Sequence, residues 1–259
     1  MTAQRTVAIT GSASGIGAAI RTRLEADGWR VVGVDRPGQG QEVEADLATP
    51  EGRAGAIADV LEAIQGRLDG LVPGAGLGPH LPTRGPLVAV NYFGAMDVLD
   101  GLLGALRQGE NPAAVLISSN SISMTPMKDT TLIDLLLAGD EPAALEAAER
   151  FDGPSVYAMT KVALARAARA RVQAWGDAGV RLNLVAPGPV RTPLLQATKD
   201  DAELGKYVDL LPIPLGREGE ATEIAGPVAF LLGPDATNIH GSLLFVDGGS
   251  DALFRPDHA

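Results

Sequence analysis

The 259-residue chain contains no cysteine, which excludes disulfide staples, thiolate zinc sites and cysteine nucleophiles together. Histidine is nearly as scarce. His80, His240 and His258 lie far apart in sequence and none belongs to a spaced metal motif, so no metal site is expected. No apolar run approaches the roughly 18 to 20 residues that a bilayer span needs, and no membrane partner is expected. Basic charge is also short. Against 32 Asp and Glu stand 21 Lys and Arg, giving a net charge of −11 that repels a phosphate backbone and argues against a nucleic-acid partner. Met1-Thr2-Ala3-Gln4-Arg5 leads directly into Val7-Ala8-Ile9, leaving no room for a charged-then-apolar secretion signal, so a cytoplasmic location is expected.

What is present is a chain with 46% hydrophobic residues, uninterrupted by repeats, low-complexity tracts or linkers, and short enough for residues 1–259 to form a single domain. Its apolar pattern alternates between short β-rich runs and longer amphipathic stretches, which predicts an α/β fold: a doubly wound parallel sheet with helices on both faces. Strands are expected at Thr6–Thr10, Arg30–Val34, Gly70–Val72, Ala113–Ser118, Arg181–Val185 and Leu243–Val246. Helices are expected at about Gly15–Asp27, Glu51–Gln65, Asn91–Arg107, Ser155–Trp175 and Ala221–Leu232. Two segments break the alternation: an insert at about Met124–Asp152 and a loop at about Pro187–Gly219. Ligands of open α/β sheets bind beyond the carboxyl ends of the strands, so both are candidate substrate walls.

Five groups of residues carry candidate chemistry. Thr10-Gly11-Ser12-Ala13-Ser14-Gly15-Ile16-Gly17 joins the first strand to the first helix. Its glycines suit either an ordinary tight turn or a cradle where backbone N–H groups meet a pyrophosphate. Asp35, 18 residues past Gly17, closes the second strand, either as a turn residue or as the acid that reads the adenosine ribose and disfavours a 2′-phosphate. The ribose role favours NAD over NADP; the neighbouring Arg36 argues mildly the other way. Tyr157 and Lys161 share a helix face four residues apart, spacing that suits a proton donor and its tuner, because an ammonium lowers the pKa of a phenol from about 10. Ser118 and Ser119 end a strand, as turn caps or as hydroxyls for a substrate oxygen. Asn91 opens a helix, as an N-cap or a water-holding group.

Together these residues resemble the short-chain dehydrogenase/reductase family. The resemblance runs in order through the Thr10–Gly17 turn, Asp35, Asp46-Leu47, Gly74-Ala75-Gly76, Asn91, Ser119, Tyr157/Lys161 and Pro187-Gly188 to Val246-Asp247-Gly248-Gly249. It implies a Rossmann-type NAD-dependent enzyme in which Tyr157 is the general acid/base and Ser119 polarises the carbonyl. Lys161 would hold the nicotinamide ribose and tune Tyr157, and Asn91 would anchor a water of the proton relay. It further implies that Gly11, Ser14, Gly15, Ile16 and Gly17 hold the phosphates, Asp35 and Arg36 meet the ribose, and Asp46 and Leu47 meet the adenine. Gly74, Ala75 and Gly76, then Pro187, Gly188, Val190 and Thr192, would line the rest of the cofactor. One departure stands out: the family usually carries asparagine before Ala75-Gly76, where this chain has Pro73-Gly74.

Further stretches, among them Gly76-Leu77-Gly78-Pro79, Val90–Ala95, Ala174–Asn183 and Thr192–Ala197, resemble hydroxysteroid-oxidising members. They imply a small lipophilic ketone or secondary alcohol, a steroid first and another bulky apolar alcohol, terpenoid or aromatic, second. The leucine-rich loop (Leu194, Leu195, Leu204, Tyr207, Leu210, Leu211, Ile213 and Leu215) suits such a ligand, though it would equally suit packing on the core. The insert reads as two short helices with a start signal at Asp140-Glu141-Pro142. Its apolar residues either cover core or form the patch of a homodimer, the assembly that the likeness implies. A binding protein that keeps the fold without the chemistry is the remote alternative.

Overall fold

β1 (Thr6–Thr10) is buried along all five residues, as a strand must be when helices cover both its faces. The computed structural model describes residues 4–257; His258 and Met1–Ala3, on which part of the secretion-signal reading rests, lie outside them. After β1 come α1 (Gly15–Ala26), β2 (Arg30–Asp35), β3 (Val43–Glu44), α2 (Pro50–Ile64) and β4 (Gly70–Pro73). The chain continues with α3 (Gly85–Val88), a π-helical turn (Ala89–Gly94), α4 (Ala95–Gly101), α5 (Leu103–Leu106), β5 (Ala113–Ile117) and α6 (Ser121–Met124). Next are α7 (Thr131–Ala138), α8 (Glu141–Ala148), α9 (Gly153–Ala170), α10 (Val172–Asp177) and β6 (Arg181–Pro187). Beyond these lie β7 (Val190–Arg191), α11 (Pro193–Asp200), α12 (Leu204–Val208), β8 (Gly219–Glu220), α13 (Ala221–Leu232), β9 (Leu243–Val246) and α14 (Ser250–Phe254).

Seven strands form one parallel sheet in the order β3-β2-β1-β4-β5-β6-β9. Strand side chains alternate between its faces. Val7, Ile9, Val115 and Val185 pack with Ile20 and Leu24 of α1 and Val228 of α13. Ala8, Leu71 and Leu116 pack on the other face with Val60 of α2, Leu99 of α4 and Leu164 of α9. The strand order reverses between β1 and β4, so the loops leaving their carboxyl ends diverge and open a crevice there.

The structure alters several expectations. Asn91 does not open a helix. The helical run already begins at Gly85, and Asn91 sits inside the π-helical turn, so it caps nothing. The expected helix at Asn91–Arg107 is divided into that turn, α4 and α5, and the one at Ser155–Trp175 breaks at Arg171 into α9 and α10. The Pro187–Gly219 loop contains α11 and α12, with Thr192 capping α11 through a 3.3 Å bond from the Leu195 N–H. The insert does form two helices, α7 and α8, and Asp140 caps the second by accepting from the Ala143 N–H. Its Leu132, Ile133 and Leu136 are fully buried and cover the main core, while Leu137 is 42% exposed.

Candidate active site

Backbone geometry sets the first half of the site. Gly11 and Gly15 take φ of +74° and +53°, where side chains are disfavoured. At Gly17 a Cβ would stand 2.0 Å from the Gly11 carbonyl oxygen, so only glycine lets α1 start this close to the turn. Ser14 makes no side-chain cap and the first turn of α1 carries no acidic residue. Its N–H groups and the positive end of the helix dipole therefore face the crevice uncompensated, which fits a pyrophosphate. Asp35, at the end of β2, accepts from the Ala13 N–H (3.0 Å) and the Arg36 N–H (2.8 Å). The carboxylate braces the turn through these two bonds and keeps further lone pairs free. At the departure from the family pattern, the Thr10 hydroxyl accepts from both the Gly74 and Ala75 N–H groups, each at 3.1 Å.

β5 and α9 supply the second half. Asp152 caps α9 through the Ser155 N–H (2.7 Å), fixing where the helix starts and hence which residues face the sheet edge. Tyr157 and Lys161 project from that face. The Lys161 Nζ donates to the Ile117 carbonyl at 2.9 Å and lies 5.8 Å from the centre of the Tyr157 ring. Ser119 stands close enough to the Tyr157 phenol to lower its pKa and accepts from the Ser121 N–H at 3.1 Å. The other strand-end serine, Ser118, turns its hydroxyl to the Lys161 carbonyl (3.4 Å). Asn91 is fully buried; it accepts from the Leu77 N–H (2.7 Å) and donates to the Leu77 carbonyl (3.1 Å).

Burial dominates the electrostatics. It pushes the Tyr157 phenol above its ordinary value of 10.0, with the Ser119 hydroxyl pulling the other way, and lowers Lys161 from 10.5 to about 8. The expected acidification draws on the ammonium together with the oxidised nicotinamide; in the protein by itself burial has the larger effect. There Lys161 is spent on the Ile117 carbonyl.

One cavity of about 870 Å³ collects these parts. It is lined by Gly11, Ser14, Gly15, Ile16, Gly17, Asp35, Arg36, Asp46 and Leu47, by Gly74, Ala75 and Gly76, and by Ser119, Tyr157 and Lys161. Pro187, Gly188, Val190 and Thr192 complete that set; of the expected catalytic and cofactor residues only Asn91 is not part of the lining. The far end is apolar, with Leu194, Leu195, Leu204, Tyr207 and Leu211. Leu210 and Leu215 are instead 77% and 72% exposed outside the lining, and Ile213 abuts Gly248. The insert contributes only its first residues, Met124, Thr125 and Pro126; the rest of it forms no substrate wall. Phe254 of α14 lines the cavity too. Sequence reasoning missed it because nothing in a five-residue terminal helix marks it as near the serine. Among the described residues no cluster of His, Asp or Glu able to hold a metal occurs, and no helix is long and apolar enough to cross a membrane.

Comparison with known proteins agrees with this geometry. A family model described as short chain dehydrogenase matches residues 5–129, and one described as enoyl-(acyl carrier protein) reductase matches residues 143–251. The chain is 46% identical to the 3-alpha-hydroxysteroid dehydrogenase/carbonyl reductase of Comamonas testosteroni, over 96% of this chain and 98% of that one. It is similar in structure to the 3-alpha-hydroxysteroid dehydrogenase from Pseudomonas sp. B-0831 complexed with NADH, with a TM-score of 0.95, 48% identity, and coverage of 98% of this chain and 100% of that one. The crystal structure of levodione reductase matches with a TM-score of 0.76 at 25% identity, covering 96% and 98% of the two chains. With likeness of this degree along nearly its whole length, the chain belongs to the short-chain dehydrogenase/reductase family of oxidoreductases.

Proposed function

We propose that the protein is an NAD(H)-dependent enzyme that interconverts a secondary alcohol and a ketone, with a bulky lipophilic substrate of the 3α-hydroxysteroid type. The observation that carries this reading is the meeting of Ser119, Tyr157 and Lys161 in the same cavity as the glycine turn and Asp35. When bound, the dinucleotide accepts or supplies the hydride. In alcohol oxidation the Tyr157 Oη, as phenolate, takes the hydroxyl proton while the Ser119 Oγ holds the substrate oxygen; in reduction the phenol returns it. Lys161, its Nζ 5.8 Å from the centre of the Tyr157 ring, holds the nicotinamide ribose when the dinucleotide is bound and favours the phenolate. Asn91 anchors the relay water with the donor and lone pair that Leu77 leaves over. A side chain on Gly76 would come within 3.4 Å of the Asn91 Oδ1 and 3.7 Å of the Lys161 Nζ, and its absence leaves room beside both. Steroid turnover is supported by the two relatives named as acting on such compounds and by the apolar far wall.

The test is an absorbance assay of NADH and NADPH with 3-oxo and 3α-hydroxy steroids, bulky terpenoid and aromatic alcohols, and small ketones. Turnover of the steroids with NADH is expected. A wild type that prefers NADPH overturns the reading of Asp35, and one active only on other alcohols removes the steroid assignment. Tyr157→Phe is expected to lower turnover at least about 10²-fold while keeping NADH binding; an unimpaired variant refutes the acid/base role.

A homodimer belongs to the same proposal. β9 is an edge strand, and Leu244 pairs in register with Val185, placing it on the face that α13 covers, yet Leu244 is 39% and Phe230 of α13 44% exposed. Light scattering is expected to give twice the chain mass.

A further inference from the structure

Among the described residues, three buried side-chain atoms stand without a polar partner: the Nε of Arg5, the Nδ2 of Asn120 and the Oγ of Ser121; the Arg53 Nε makes no hydrogen bond either but is ion-paired with the Asp97 Oδ2 at 2.7 Å. The two guanidinium groups are otherwise engaged, Arg5 with the Leu232 carbonyl and Arg53 with Glu141. Asn120 and Ser121 have no such excuse. They are adjacent, they follow Ser119 directly, and both line the cavity. Asn120 is 6% exposed and its amide makes no hydrogen bond at all, although its backbone is fixed by donation to the Pro187 carbonyl (2.9 Å) and by acceptance from the Ser123 hydroxyl (3.0 Å). As the residue before α6 it could cap that helix, and it does not.

A buried amide without partners costs stability, because the water it gave up is not replaced. A rigid backbone that holds such a group in a substrate cleft makes physical sense when the ligand supplies the missing partner. We propose that Asn120, with Ser121 beside it, is a specificity-determining residue: its amide hydrogen-bonds an oxygen of the substrate, hydroxyl or carbonyl, next to the oxygen held by Ser119. An amide carries both donor and acceptor, so the notch serves ketone and alcohol alike. This rests on the function proposed above.

The test replaces Asn120 by leucine, similar in size and apolar, and by alanine. Three quantities are read: the melting temperature, the NADH dissociation constant, and kcat/KM for a substrate that the wild type turns over and that carries a second hydroxyl or carbonyl oxygen beside the reacting one. Asn120→Leu is expected to raise the melting temperature, because the orphan amide is gone, and to lower kcat/KM about tenfold, with NADH affinity unchanged. Asn120→Ala is expected to lose kcat/KM to the same degree. Unchanged kcat/KM in both variants overturns the proposal. So does a loss of NADH affinity that accounts for the whole effect, which would make Asn120 a cofactor contact, or a lower melting temperature in both variants, which would make it a structural residue. A wild type inert towards every alcohol and ketone overturns the functional reading itself, and is seen before any variant is made.

Discussion

Lys161 shows how one residue trades stability for chemistry. Burial lowers its pKa from 10.5 to about 8, so in the folded protein it sheds its proton at a pH where the unfolded chain still holds one. Between about pH 8 and 10.5 the unfolded state therefore binds more protons, and stability rises with pH through that window; below it the full penalty of the buried ammonium is present. Lys161→Met removes the titration. The stability of wild type relative to this variant, measured by urea unfolding without cofactor, is expected to improve between pH 7.5 and pH 10 by an amount of the order of 3 kcal/mol or less. A difference that stays flat with pH would show that Lys161 keeps its ordinary pKa. The spacing of Tyr157 and Lys161 made this pair legible in the sequence, since side chains four apart on a helix share a face. Its electrostatics were not legible: the sign of the Tyr157 shift depends on how deeply the fold buries the phenol, and no spacing encodes that. Asn120 was missed for a similar reason, because an unpartnered amide exists only once every possible partner has been placed elsewhere.

At the scale of elements, long periodic segments were the readable ones. β1 and β9 lie where the patterns put them, and α13 spans its predicted range, because burial on both faces of a strand or on one stripe of a helix leaves a strong apolar signature. Two-residue strands such as β3, β7 and β8 are too short to carry a period. The insert's attachment was equally hidden. Arg53 of α2, only 2% exposed, has its Nε 2.7 Å from the Asp97 Oδ2 of α4 and its Nη2 2.5 Å from the Glu141 Oε2 of α8, so one guanidinium ties the insert to two helices of the main body. Removing one partner of a buried pair strands the others, although Asp97 and Glu141 retain 46% and 20% of their exposure and are partly rescued by water. Arg53→Ala is therefore expected to cost roughly 2 to 3 kcal/mol in urea unfolding, and Arg53→Met clearly less, since it keeps the packed stem. A loss below about 0.5 kcal/mol for the alanine variant would mean that packing alone holds α8 in place.

The whole molecule carries a net charge of −11, yet its proposed ligand is anionic. The cavity lining contains Asp35 and Asp46, and its basic side chains are Arg36 and Lys161 alone, with the Lys161 Nζ engaged by the Ile117 carbonyl. Attraction at the pyrophosphate must then come mainly from backbone dipoles, the free N–H groups of α1 and of the turn before it. These act at hydrogen-bond distance, where dissolved ions screen little. The overall charge, by contrast, repels the dinucleotide over distances longer than the Debye length of roughly 10 Å at 0.1 M salt, and that repulsion is screened. The two effects predict an inverted salt response. Raising sodium chloride from about 0.02 M to 0.3 M is expected to leave the NADH dissociation constant unchanged or to lower it by up to about threefold, measured by fluorescence titration, since added salt removes the unfavourable part of the field first. A cleft that relied on Arg36 for the phosphates would behave in the opposite way and lose affinity steadily as salt rose, which would shift the explanation of cofactor binding from the fold of the turn to a single exposed side chain.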